Sequence, residues 1–231
     1  MVNLNKHKFL MMQILKDIYS NIELTSCLGF KGGTALMFFH NLPRFSVDLD
    51  FNLLDKNKKE KVLFLIKEML LKYGKIDDEA IKFYSTIIVL NYGIGERKLK
   101  IEISNREWEE HYEIKNFLGI NIKVMAKSDM FAHKLCALLD RSEVTNRDIF
   151  DSWFFMQHRT SLNKNIIEER MNIPYKDYID KCINHLSNLS NKNILNGLGD
   201  LMDGEMKIFV KTKLLKETIS LLNFYKEFPL L

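Results

Sequence analysis

Hydrophobic positions change their period several times along this chain, and the changes divide it. Over residues 5–22, Phe9, Met12, Leu15, Ile18 and Tyr19 recur at helical spacing and predict a first amphipathic helix. A short apolar run at 27–30 then meets Gly32, Gly33 and Thr34, and an apolar stretch over 35–40 follows; the pattern predicts a strand, a tight turn and a helix. After a loop containing Pro43, Val47, Leu49 and Phe51 alternate with Asp48 and Asp50, which predicts a strand with one apolar and one acidic face. Residues 56–73 open on a lysine run and continue Val62, Leu63, Leu65, Ile66, Met69 and Leu70, a helix with one basic face. Residues 80–92, rich in Ile, Tyr, Thr and Val, and residues 98–104 predict an antiparallel hairpin around Gly93 and Gly95. In its second strand Leu99, Ile101 and Ile103 face one way, and Lys100, Glu102 and Ser104 the other.

From about residue 127 the period becomes helical. Segments 130–139, 144–156, 166–171, 175–189 and 206–224 predict helices, and the Asn- and Lys-rich run 188–196 predicts an exposed loop or helix end. The expectation is an α+β chain: a mixed sheet with flanking helices over 1–125, and a helical domain over 126–231 that completes the active site. No internal repeat or long linker interrupts it.

Composition narrows the picture only slightly. The 231 residues are 46% hydrophobic and 28% charged, with a net charge of +4, which is ordinary for a soluble globular protein and permits a nucleic-acid partner without arguing for one. Cys27, Cys136 and Cys182 are far apart and sit among apolar neighbours, as buried reduced thiols do. The 6 histidines form no metal-binding pattern such as HExxH. No apolar run approaches the length of a membrane span, and the expected location is the cytoplasm.

The chemistry concentrates in two places. Glycines let backbone N–H groups approach a ligand, and a helix N-terminus favours anions, so Gly32, Gly33 and Thr34 form a candidate phosphate turn. Asp48 and Asp50 share a strand face, where two carboxylates repel unless a cation lies between them; Mg²⁺, or Mn²⁺, is the natural occupant, completed by water and substrate phosphates. Glu102 is a third candidate ligand on a neighbouring strand, against the alternative of an exposed sheet face. Arg44 reads as a phosphate or carboxylate contact, or as an exposed loop arginine. Ser46, two residues before Asp48 on the same face, joins the nucleotide-binding set; a phosphate added there would bring roughly two negative charges beside the acids.

The second place lies in the helical half. Ser128 is placed to cap the helix that carries Lys134, a lysine among Phe131, Leu135 and Leu138 that shares a face with Arg141. Lys134 reads either as a point charge for triphosphate oxygens or as a side chain snorkelling to solvent. Arg147 and Asp151 are spaced to pair, and Asp148 and Asp151 share a face. They either cap and brace a helix, or hold Lys134, or take a proton from an attacking hydroxyl.

Lys31-Gly32-Gly33-Thr34-Ala35-Leu36, Arg44-Phe45-Ser46-Val47-Asp48-Leu49-Asp50-Phe51, Ala132-His133-Lys134-Leu135-Cys136-Ala137-Leu138 and Arg147-Asp148-Ile149-Phe150-Asp151 together resemble the four motifs of the AbiEii/AbiGii toxin family, which has a nucleotidyltransferase fold and is related to the Men toxins of mycobacteria. The resemblance runs over about residues 28–155. It implies that Gly33 and Thr34 hold phosphate, that Asp48 and Asp50 are metal ligands, that Lys134 binds triphosphate, and that Asp148 is the acid of the last motif and a candidate general base. It further implies NMP transfer from an NTP to an acceptor, with a tRNA 3′ end as the acceptor in some relatives, and a cognate antitoxin. A metal-dependent phosphohydrolase and a non-catalytic nucleotide-binding module are the alternative readings.

Overall fold

The computed structural model describes residues 3–140 and 145–230, which fall into two compact units. The first comprises Met1–His40, Ser46–Glu107 and Tyr112–Met125; the second comprises Asn41–Phe45, Trp108–His111 and Ala126–Leu231.

The first unit is built on a seven-stranded mixed sheet. Its strands are β1 (Leu28–Lys31), β2 (Asp48–Leu53), β3 (Lys75–Ile81), β4 (Ser85–Asn91), β5 (Leu99–Ser104), β6 (Tyr112–Phe117) and β7 (Ile120–Met125), in the order β3-β4-β5-β2-β1-β7-β6. β2 and β5 run parallel, as do β1 and β7, while β1 and β2 run antiparallel. The alternation read along the strands is the alternation observed: Leu49, Phe51, Ile101 and Ile103 are buried, whereas Asp48, Asp50, Lys100 and Glu102 are only part-buried on the opposite face. Helices α1 (Leu4–Ser20), α2 (Ile22–Cys27) and α4 (Lys59–Leu70) bury their apolar stripes in the same unit, and α3 (Gly32–Phe39) leaves β1 without an intervening loop. The anticipated single strand over 80–92 is instead the hairpin β3–β4. β3 escapes a hydrophobicity reading because it is an edge strand carrying Asp77, Asp78 and Glu79, the charged composition by which edges avoid further pairing.

The second unit is helical: α5 (Lys127–Cys136), α6 (Asn146–Gln157), α7 (Lys164–Met171), α8 (Tyr175–Ser187), α9 (Gly204–Thr212) and α10 (Leu214–Glu227). The helix expected over 206–224 breaks at Lys213, whose φ of −128° leaves the helical region. α10 then buries Leu214, Leu215, Thr218, Leu222 and Tyr225 on a stripe of its own. Phe131 and Phe155 stack at 5.0 Å within the core, and Tyr178 donates to the Leu135 carbonyl at 2.7 Å. The three cysteines are free and buried, and burial pushes the Cys136 and Cys182 thiols up to about 12, which keeps them unreactive. Among the described residues no helix is long and apolar enough to cross a membrane.

Candidate active site

The acidic face of the sheet is assembled by the turn that leads into α3. Gly32 has φ +80°, a conformation that L side chains resist, and a Cβ there would fall within contact distance of Asp50 Oδ2. Glycine at this position therefore serves both the turn and the close approach of Asp50. α3 starts at Gly32 with no side chain capping its first turn, so the helix offers first-turn amides to an anion. Thr34 is fully buried and its hydroxyl donates to the Asp48 carbonyl. That hydroxyl fixes the turn to the acidic strand, which leaves the uncapped first-turn N–H groups of α3 as the donors an anion could use. Ser46 precedes β2 and is buried, so a phosphate could reach its hydroxyl only if the segment opened. His7, buried in α1, holds the chain at the same end of β2, one residue earlier: Nε2 donates to the Val47 carbonyl at 2.9 Å, and Nδ1 accepts from the Tyr92 hydroxyl at 2.8 Å.

Pairing of β2 with β5 sets the acids in register. Asp50 lies opposite Glu102 and Asp48 opposite Lys100. The Lys100 ammonium stands 3.2 Å from Glu102 Oε2 and 3.6 Å from Asp48 Oδ2. Burial raises the Asp50 pKa, and the neighbouring Asp48 and Glu102 charges add to the rise while Lys100 and Lys31 oppose it. Burial works against the Lys100 charge, but Asp48, Asp50 and Glu102 outweigh it and leave its pKa raised. Among the described residues no three His, Cys, Asp or Glu side chains are gathered tightly enough to enclose an ion. What stands among these carboxylates is a lysine ammonium, an internal cation. The donors are all carboxylate oxygens, already hosting a positive charge, and this chemistry suits a hard divalent ion such as Mg²⁺.

The helical unit carries the other candidates as a second cluster. Lys134 Nζ lies 3.1 Å from Asp148 Oδ1 and 2.8 Å from Asp151 Oδ2. Arg44 Nε and Nη2 donate to the two oxygens of Asp151, each at 2.7 Å, and Arg44 is buried. Arg44 is thus a carboxylate partner, and the exposed loop arginine is excluded. Thr145 Oγ1 donates to Asp148 Oδ2 at 2.6 Å, which fixes the carboxylate while its Oδ1 accepts from Lys134. Burial works against the Asp151 charge, yet Arg44 and Lys134 hold its carboxyl at about 2. Lys134 shows the mirror effect: burial opposes its charge, and Asp151 and Asp148 raise its pKa.

Three expectations for this cluster are corrected. Arg147 does not pair with Asp151, whose oxygens are taken by Arg44 and Lys134; Arg147 instead lines a cavity of about 440 Å³ with Thr145, Ser190 and Asn193. Ser128 is not the cap of α5: the cap position is Ala126, and the Ser128 hydroxyl donates to Asp129 Oδ1. Lys134 is not a snorkelling side chain, since its ammonium is held by two acids; Arg141, expected on the same face, lies outside the described residues. Two participants, Lys100 and His7, have no role that the residue pattern alone assigns. Lys100 is legible as sharing Glu102's face, but its ion pairs are not. His7 gives no signal, because a lone histidine in an amphipathic helix looks like any other polar position.

In architecture the chain is similar to nucleotidyltransferase-like proteins of known structure. JHP933 from Helicobacter pylori superposes with a TM-score of 0.65 at 22% identity, over 97% of this chain and 92% of that one. A second structure from H. pylori, of a candidate nucleotidyltransferase, gives the same score and identity over 96% and 94%. An antigenic nucleotidyltransferase-like protein from Paracoccidioides brasiliensis matches at 0.50 and 12% identity, over 80% and 90%. At these identities the likeness is one of fold. Residues 13–195 match the family described as nucleotidyl transferase AbiEii toxin, type IV toxin–antitoxin system, and the chain belongs to that family. No curated protein matches in sequence.

Proposed function

We propose that this protein is a Mg²⁺-dependent nucleotidyltransferase toxin that transfers a nucleoside monophosphate from an NTP to an RNA acceptor, such as a tRNA 3′ end, and is neutralised by a cognate antitoxin. The observation that carries the reading is the register of β2 on β5, which sets Asp48, Asp50 and Glu102 on one face beside the Gly32 turn. Asp48 and Asp50, with Glu102, are assigned as the residues that would hold Mg²⁺ or Mn²⁺. Such an ion, when bound, supplies charge neutralisation for the leaving pyrophosphate and activates the attacking hydroxyl. The acceptor oxygen forms a bond to the α-phosphorus as the bond to the bridging oxygen breaks and pyrophosphate departs. The chain's own part is positioning: first-turn amides of α3 for phosphate oxygens, and Lys134, oriented by Asp148 and Asp151, as the triphosphate-binding lysine.

The test is incubation with each of four labelled NTPs, Mg²⁺ and total cellular RNA. Label is expected in RNA with pyrophosphate released, and Asp48→Ala is expected to abolish both while leaving the circular-dichroism spectrum and melting profile intact. Transfer retained by Asp48→Ala, or release of inorganic phosphate in place of pyrophosphate, overturns the assignment.

A further inference from the structure

The acidic face carries a positive charge that none of the proposed catalytic steps uses. A lysine in mid-strand on an open sheet face normally extends its stem and keeps its ammonium in water. Lys100 does otherwise. Its side chain is only 35% exposed, and its ammonium lies over its own sheet, bridging β2 and β5 between Asp48 and Glu102. Register dictates the arrangement. Lys100 precedes Glu102 by two residues and so shares its face, and parallel pairing sets Lys100 opposite Asp48. Toward β2 the ammonium meets Asp48 and along its own strand Glu102, whereas toward β4 its cross-strand neighbour is the apolar Val89.

The consequence is competition. The three carboxylates, Lys100 and the Lys31 opposite Asp50 sum to a formal charge of −1 on this face. A divalent ion bound by Asp48 and Asp50 would have to sit within a few ångströms of the place where the ammonium now stands. Two like charges at that separation repel strongly in a partly desolvated site. The oxygens Asp48 Oδ2 and Glu102 Oε2 also cannot give their lone pairs fully to an ion while paired with Lys100.

We infer that Lys100 is a tethered counter-ion of the carboxylate face, which holds the acids together until a divalent ion displaces its ammonium, so that metal binding and release of Lys100 are one event. The inference rests on the reading of Asp48 and Asp50 as metal ligands. It makes Lys100 a positioning residue that lowers metal affinity, and it keeps the acids from repelling one another when no ion is bound.

The test is calorimetric titration with Mn²⁺, without nucleotide, of the wild type, Lys100→Met and Asp48→Asn. In parallel, acylation of the wild-type lysines is followed by peptide mass spectrometry with and without Mn²⁺. Lys100→Met keeps the apolar stem and removes the charge, and it is expected to bind Mn²⁺ roughly ten- to a hundredfold more tightly, the scale expected for removing one like charge from a part-buried site. In the wild type, Mn²⁺ is expected to speed acylation of Lys100 several-fold and leave the exposed Lys72 unchanged. Unchanged or weaker Mn²⁺ binding by Lys100→Met, with Asp48→Asn still losing it, overturns the inference alone. Equal Mn²⁺ binding by Asp48→Asn and wild type overturns the metal assignment and the inference with it. Should Lys100→Met fail to fold, acylation of the wild type decides: Lys100 labelling that Mn²⁺ slows or leaves unchanged rejects the displacement.

Discussion

Arg44 and Asp151 stand 107 positions apart in sequence and meet as a two-pronged ion pair, Nε on Oδ1 and Nη2 on Oδ2, both at 2.7 Å. The fork geometry matters because a guanidinium presents two parallel N–H groups to a carboxylate and an ammonium presents one point charge. Removing one partner of a buried pair leaves the other as an uncompensated charge, which costs about 3–5 kcal/mol. Lys134 remains beside Asp151 when Arg44 is lost, so Arg44→Met is expected at the lower end of that range, about 3 kcal/mol, by urea denaturation. Arg44→Lys is expected to recover less than half of the loss. Full stability in Arg44→Lys would show that charge alone, without the fork, suffices.

The same pair fixes an acid limit. Burial by itself would push the Asp151 carboxyl up, yet Arg44 and Lys134 hold it at about 2 against an ordinary 3.8. A group whose folded value lies below its unfolded value binds fewer protons when folded. Its stabilisation is therefore complete above the unfolded value and is lost as pH falls through the folded one. Stability is expected to fall between about pH 4 and pH 2 by an amount of order 2 kcal/mol attributable to this one carboxyl. Denaturation curves collected across that interval measure it. Asp151→Asn, although less stable throughout, is expected to show a shallower slope there; an unchanged slope would assign the acid sensitivity to other carboxylates.

How much of this is legible in the sequence depends on whether periodicity or side-chain direction is needed. The strand of Asp48 and Asp50, the glycine turn and the face of Glu102 follow from a period of two and from the special backbone of glycine, both local properties. β3 does not follow, because an edge strand solvated on both sides carries Asp77, Asp78 and Glu79 where alternation would otherwise appear. The break at Lys213 is hidden because the apolar positions on its two sides continue each other's spacing. Spacing puts Arg147 on Asp151, four residues away on the same helix. The competitor that wins, Arg44, comes from a loop more than a hundred residues earlier, and no local rule can supply it. Lys100 is the intermediate case: its face is readable, but the direction of a four-carbon stem is not.

Gly32 offers a test of whether the turn serves the acids or merely the fold. Its φ of +80° costs an alanine about 1–2 kcal/mol of backbone strain, and in addition the new Cβ would press on Asp50 Oδ2. Gly119 supplies the control, since it has φ +85° but, among the described residues, nothing within 4 Å of where its Cβ would stand. Gly119→Ala and Gly32→Ala are both expected to lose about 1–2 kcal/mol of stability through the same strain. Only Gly32→Ala moves a carboxylate, and misplacing a reacting group by about 1 Å can cost roughly a hundredfold in rate. Nucleotide transfer is accordingly expected to fall by about that factor in Gly32→Ala and to stay near wild type in Gly119→Ala, measured at a temperature where both are folded. Equal activity in the two variants would mean that the position of Asp50 is not set by the missing side chain at Gly32, and that the turn owes its glycine to backbone conformation alone.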